Sequence, residues 1–193
     1  MLQWNVSGFP EGTYYPYLEI SDGLQVRRVY ATAPIVVGGG SSSTKPVKYD
    51  YNGDGRSDPV VYRPAEGLYY LNKSIAGPSV TALGPVGGSP IEGDFDGDGI
   101  SDVATVSVNG GVLYWLIKFS SSHVVSYRPW GVAGDIPVVG DYDGDKKDDI
   151  AVFREGLWFI TFLDGTVRVG SWGYAGDTPI AADFDGDNQV DYA

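Results

Sequence analysis

Short apolar runs alternate with polar turns along most of the chain, and none of the runs is long. "PVVYR" (59–63), "VATVS" (103–107) and "IAVFR" (150–154) are β-type segments. Each is followed by a Gly-led aromatic run: "GLYYL" (67–71), "GVLYWLI" (111–117) and "GLWFI" (156–160). Val, Ile and Tyr in such brief segments, bounded by Gly, Pro, Asn and Asp, predict strands. Gly at 28 and Pro at 12 of 193 residues argue against long helices and for many tight turns. No apolar stretch approaches the roughly 20 residues of a membrane-spanning helix.

The pattern repeats. Four acidic loops, "DYNGDGRSD" (50–58), "DFDGDGISD" (94–102), "DYDGDKKDD" (141–149) and "DFDGDNQVD" (183–191), begin 44, 47 and 42 residues apart. A proline stands four residues before each loop (Pro46, Pro90, Pro137, Pro179), followed by Val47, Ile91, Val138 or Ile180. The last two full units close with matching "SYRPWGVAGDIPV" and "VGSWGYAGDTPI" segments. Each unit of about 45 residues therefore reads as four short antiparallel strands, the size of one β-propeller blade. A β-solenoid is the alternative, but its coils are usually shorter and its Gly-rich calcium nonapeptide is missing. The expected fold is all-β: about three full blades plus a partial one over 45–193. An N-terminal β-hairpin segment precedes them at 1–37, and a Gly/Ser linker lies at 38–44.

The loops carry the chemistry. Oxygen-bearing side chains fill positions 1, 3, 5 and 9: Asp50, Asn52, Asp54 and Asp58; Asp94, Asp96, Asp98 and Asp102; Asp141, Asp143, Asp145 and Asp149; Asp183, Asp185, Asp187 and Asp191. Position 4 is always Gly. Position 7 varies freely (Arg56, Ile100, Lys147, Gln189), as expected where only a backbone carbonyl is used. Hard, all-oxygen sets at this spacing suit Ca²⁺, which takes six to eight oxygens at about 2.3–2.6 Å. Zinc prefers His or Cys, and the chain has one His and no Cys. An EF-hand needs a Glu at position 12 and flanking helices. Position 12 is Val61, Thr105 or Val152, and the flanks are strands.

The D-x-D-x-D-G-x-x-D loop, entered from a strand and left into an "IAVF"-like strand, resembles the FG-GAP/VCBS repeats. These occur in the calcium-binding blades of integrin α-subunit propellers and in bacterial secreted proteins. "GVAGDIPVVGDYDGDKKDDIAVFR" (131–154) resembles the bacterial form especially. The resemblance covers about 45–193. It implies one Ca²⁺ per loop, up to four, held by positions 1, 3, 5 and 9 with the carbonyl of position 7. Lys146 and Asn188 stand where the first two loops have Gly55 and Gly99, and Asn52 gives loop 1 one charge fewer. An altered loop 3 and weaker binding in loop 1 are the expected consequences.

The formal charge of −12 argues against a phosphate-backbone partner, and no nucleic acid is expected. Neutralising the fifteen Asp at positions 1, 3, 5 and 9 of the four loops would leave +3, so the acidity is local to them. Four Ca²⁺ would bring the chain to −4. A repeated carboxylate set reads as scaffold, whereas an active site is a single asymmetric constellation. His123 and the serine clusters at 41–43 and 120–122 lack any nucleophile pattern.

Trp130 and Trp172 precede Gly at equivalent places and read as inter-blade packing, with sugar platforms as the sharper alternative. Arg63 and Arg154 read as braces of a blade edge or a carboxylate. Residues 1–37 contain two strands around Asp22-Gly23 and loosely resemble the closing strands of an Ig-like or fibronectin-like sandwich. "MLQWNVSGFPEG" lacks the regions of a signal peptide, and neither terminus falls at a repeat boundary, so a longer natural context is expected.

The functional expectation is a non-catalytic, calcium-stabilised module of a secreted or cell-surface bacterial protein, for adhesion or ligand binding. The alternative is an accessory carbohydrate-binding region of a polysaccharide-active enzyme. A protein or glycan ligand and self-association through open blade edges are the expected contacts.

Overall fold

The computed structural model describes residues 12–14, 17–21, 26–30, 35–37, 47–73 and 77–192. The chain divides into two units, Met1–Lys45 and Pro46–Ala193. Among the described residues every regular element is a strand.

In the first unit β2 (Tyr17–Ser21) and β3 (Val26–Tyr30) pair antiparallel, giving the expected hairpin strands. Two shorter strands that the sequence pattern does not signal, β1 (Gly12–Tyr14) and β4 (Ile35–Val37), pair with each other. The Asp22-Gly23 turn and the 38–44 linker lie outside the described residues.

The second unit is a series of antiparallel sheets, one per repeat. The first holds β5 (Val60–Arg63), β6 (Leu68–Lys73) and β7 (Gly77–Ala82). The second holds β8 (Ser89–Gly93), β9 (Asp102–Asn109), β10 (Val112–Lys118) and β11 (Val125–Val132). The third holds β12 (Ile136–Gly140), β13 (Asp149–Arg154), β14 (Leu157–Thr161) and β15 (Val167–Ser171). A two-stranded sheet, β16 (Ala181–Ala182) with β17 (Asp191–Tyr192), begins a fourth repeat. Each full sheet is an up-and-down meander in sequence order, as in a propeller blade. A solenoid would instead pair strands of one coil with those of the next.

The first sheet shows three strands among the described residues. The stretch aligned with β8 and β12 is a turn at Lys48–Tyr49. Pro59 also shortens the next strand, because it has no N–H to give to the ladder.

The sheets stack through shared cores. Phe95, Ala104, Val106, Leu113, Trp115 and Ile117 of the second blade close on Ile150 and Val152 of the third. Tyr51, Tyr69, Leu71 and Leu83 of the first pack on Val103 of the second. Trp158, Phe153, Ile160 and Tyr142 of the third meet Ala181, Val190 and Tyr192 of the fourth repeat. The first strands also meet, β12 touching both β8 and β16. Alternation decides the faces: β10 reads half-buried, buried, half-buried along its length, while the central strands β9 and β13 are buried on both faces over most of theirs.

The indoles lock this arrangement. Trp115 Nε1 donates to the Trp130 carbonyl (2.9 Å), and Trp158 Nε1 to the Trp172 carbonyl (3.2 Å). Trp130 Nε1 reaches across to the Phe159 carbonyl of the next blade (3.0 Å). Trp130 is therefore an inter-blade tie. Trp172, at the equivalent place one repeat on, is 62% exposed. Arg154 grips the Asp135 carboxylate with two bonds of 2.6 and 2.7 Å, while Arg63 pairs with Glu66 at the surface.

Candidate metal centre

Each acidic loop joins a blade's first strand, or its equivalent, to the second, and one hydrogen-bond scheme shapes all four. Oδ1 of the position-1 Asp accepts the N–H of the position-4 glycine: Gly53 (2.7 Å), Gly97 (2.8 Å), Gly144 (2.6 Å) and Gly186 (2.7 Å). Its Oδ2 accepts the N–H of position 6: Gly55 (2.7 Å), Gly99 (2.8 Å), Lys146 (2.9 Å) and Asn188 (3.3 Å). The position-9 Asp accepts the N–H of position 2, from Tyr51, Phe95, Tyr142 and Phe184, at 2.9–3.0 Å. Asp50 Oδ1 also accepts the N–H groups of Asn52 and Asp54 (3.2 and 3.3 Å), and Asp94 Oδ1 that of Asp98 (3.2 Å).

The scheme brings three carboxylates together in three loops. Asp94, Asp96 and Asp102 each place an oxygen within 4.8 Å of the others, as do Asp141, Asp143 and Asp149, and Asp183, Asp185 and Asp191. That spacing is what a single ion bound at about 2.4 Å by each oxygen requires, so the donor set fits Ca²⁺. Among the described residues these are the groups that form, and loop 1 is not one of them. Its Asn52 amide donates to both oxygens of Asp58 (2.8 and 3.0 Å), where the other loops have a third carboxylate.

Position 5 stands apart from these trios. Asp54, Asp98, Asp145 and Asp187 accept the N–H of position 7, from Arg56, Ile100, Lys147 and Gln189, at 2.7–2.9 Å. Loop 3 is not distorted by Lys146: it takes φ +70°, as Asn188 does, beside +78° and +85° at Gly55 and Gly99.

Burial makes the crowding costly. It pushes the Asp102 and Asp149 carboxyls up to about 7, and Asp94 up to about 6, with neighbouring Asp charges adding to the rise. Backbone N–H bonds from Ser120 and Phe95 to Asp102, and from Tyr142 to Asp149, pull the other way. A divalent ion removes this penalty at its source.

Three features escaped the sequence pattern. First, the carbonyl of position 1 accepts the N–H of position 8 in the following loop: Asp50 from Ser101 (2.7 Å), Asp94 from Asp148 (2.8 Å), Asp141 from Val190 (2.6 Å). Second, each position-4 glycine faces the next loop's position-7 side chain. A Cβ on Gly53 would lie 3.1 Å from Ile100, on Gly97 2.8 Å from Lys147, and on Gly144 3.2 Å from Gln189. Third, the turn after β10 covers loop 2. Ser120 Oγ donates to Asp98 (2.7 Å), Ser121 Oγ to Asp96 (2.6 Å), and the Ser120 N–H to Asp102 (2.7 Å). His123 is exposed in that turn.

The second and third loops, with the strands between them, form a repeated acidic loop on stacked antiparallel blades. A protein-family model matches this region: the FG-GAP-like repeat, over residues 94–152. Residues 94–152 are an FG-GAP-like repeat. The match runs from the first ligand position of loop 2, through β9–β12 and all of loop 3, into β13. The loops at 50–58 and 183–191 lie outside it and share the hydrogen-bond scheme of the FG-GAP-like repeat. No curated protein and no solved structure matches the chain.

Proposed function

We propose that the chain is a non-catalytic, calcium-stabilised β-propeller-type module of a secreted or cell-surface protein, serving adhesion or ligand binding. The observation that carries this reading is the threefold carboxylate trio, placed each time in the loop between the first and second strands of a sheet. In each trio positions 1, 3 and 9 would hold the ion directly. The position-5 Asp and the position-7 carbonyl would complete the shell, and loop 1 would bind more weakly through Asp50, Asp54 and Asp58. The ion supplies charge neutralisation. The chain's own residues supply a preformed loop and the bonds that pass it to the next blade.

Calcium supply supports the outside location. Extracellular modules bind calcium at about 10⁻⁴–10⁻³ M, which millimolar calcium saturates and cytosolic calcium does not. The exposed Trp172, Tyr174, Ile180 and Phe184 around β16 favour self-association through that edge. Large apolar patches on a surface mark contact sites.

Thermal melting in chelator, then with Ca²⁺ or Mg²⁺ restored, tests the reading. The expected result is a calcium-specific rise of many degrees, since a ligand bound only by the native state stabilises it by mass action. An unchanged melt in chelator would remove the metal from the account.

A further inference from the structure

The turn after β10 is longer by one residue than its counterpart after β14, and the two serve different ends. The Phe119 N–H bonds the Val124 carbonyl (3.0 Å) around residues 120–123, whereas the Phe162 N–H bonds the Thr166 carbonyl (3.0 Å) around 163–165. A left-handed residue ends each turn, His123 at φ +59° and Gly165 at +88°. The shorter turn holds itself: Asp164 Oδ1 accepts the N–H and the hydroxyl of Thr166 (2.8 and 2.7 Å). The longer one reaches three of the four ligand-position carboxylates of loop 2. Ser121 donates to Asp96 Oδ2 through its hydroxyl (2.6 Å) and its N–H (3.4 Å). Ser120 donates its hydroxyl to Asp98 Oδ2 (2.7 Å) and its N–H to Asp102 Oδ1 (2.7 Å). In loop 3 the corresponding Asp143 and Asp145 accept N–H groups of their own loop (3.1 and 2.8 Å), and among the described residues no hydroxyl reaches them.

We infer that Ser120 and Ser121 are positioning residues for calcium at loop 2, and that they make it the tightest site of the chain. The inference rests on the calcium reading proposed above. A free surface carboxylate swings between rotamers, and a cation binds it better when that freedom is already spent. Asp96 and Asp98 are held from both sides. Their Oδ1 atoms accept the N–H groups of Asp98 (3.3 Å) and Ile100 (2.8 Å), while a serine hydroxyl holds each Oδ2. A hydroxyl is neutral, so it orients the carboxylate without competing for its charge as a lysine ammonium would. Partners that hydrogen-bond to ligating carboxylates typically cost about 10–100-fold in metal affinity when removed. The loop-2 trio is also the most sheltered: Asp94 and Asp102 are buried, against one buried carboxylate in loop 3 and none in loop 4. Less solvent around the oxygens strengthens their attraction for a cation.

A calcium titration of the full chain, followed amide by amide by NMR, tests this. Gly97 and Gly99 report loop 2, Gly144 loop 3 and Gly186 loop 4. Gly97 and Gly99 should saturate at the lowest calcium concentration. Ser120→Ala combined with Ser121→Ala should raise their midpoint about tenfold or more and leave those of Gly144 and Gly186 unmoved. Ser120→Thr with Ser121→Thr keeps both hydroxyls and should hold the midpoint near the parent's. A purely structural turn would lower the melting temperature in chelator without shifting one site's midpoint. If the alanine pair leaves the loop-2 midpoint alone, or tightens it because the hydroxyls had competed with the ion, this inference falls and the calcium reading stands. A midpoint that shifts equally at Gly144 would mean general loosening and overturns it too. Amides that ignore calcium in every loop would remove the calcium reading itself, and this inference with it.

Discussion

Lys146 holds a backbone conformation that Gly55 and Gly99 hold in the first two loops, because its N–H must reach Asp141. A side chain in the left-handed region costs roughly 1–2 kcal/mol. Glycine would keep the bond and lose the strain, at some cost in unfolded-chain entropy. Lys146→Gly should therefore stabilise the protein by about 1 kcal/mol, read as a higher urea midpoint. Asn188→Gly should gain less, since Asn tolerates this region well. Equal effects at the two sites would mean that backbone strain is not what distinguishes them.

At the scale of the element, the loop is also a joint. Asp148, the one acid of "DYDGDKKDD" outside positions 1, 3, 5 and 9, occupies no proposed ligand position. Its carboxylate accepts the Asp94 N–H (2.8 Å) while its own N–H binds the Asp94 carbonyl (2.8 Å), clamping the third blade to the second. Burial, with Glu92 and Asp94 nearby, pushes its carboxyl up to about 6. Asp148→Ala orphans a buried N–H and should cost about 1–3 kcal/mol. Asp148→Asn keeps an acceptor and removes a crowded charge, so in chelator it should melt at or above the wild-type temperature. If the two variants melted alike, the clamp would have no energetic weight.

The loops, their spacing and the strands on either side were legible because they recur within a single repeat, where periodicity can reveal them. The joints were not. Asp94–Asp148 and Gly53–Ile100 link residues about one repeat apart, and no local period encodes which carbonyl meets which N–H. Position 5 carries a role that its place in the sequence does not show: its carboxylate accepts the N–H of position 7.

For the whole molecule, the decisive quantity is how proton and metal compete for the same oxygens. Asp102 and Asp149 titrate near 7 in the folded, metal-free chain and near the ordinary 3.8 when unfolded. Between those values the native state binds more protons, so the stability of the metal-free protein falls as pH rises. In chelator the melting temperature should therefore drop on going from pH 5.5 to pH 8, by several degrees for shifts worth about 1.4 kcal/mol per unit. Calcium must flatten the slope, because it holds the native carboxylates deprotonated, as they already are in the unfolded chain over this range. With millimolar Ca²⁺ the melting temperature should stay nearly constant over the same interval, and the two curves should converge towards acid, where protons displace the ion. Differential scanning calorimetry at four or five pH values, with and without calcium, reads both slopes. Parallel curves would mean that the metal, wherever it binds, does not sit on Asp102 and Asp149.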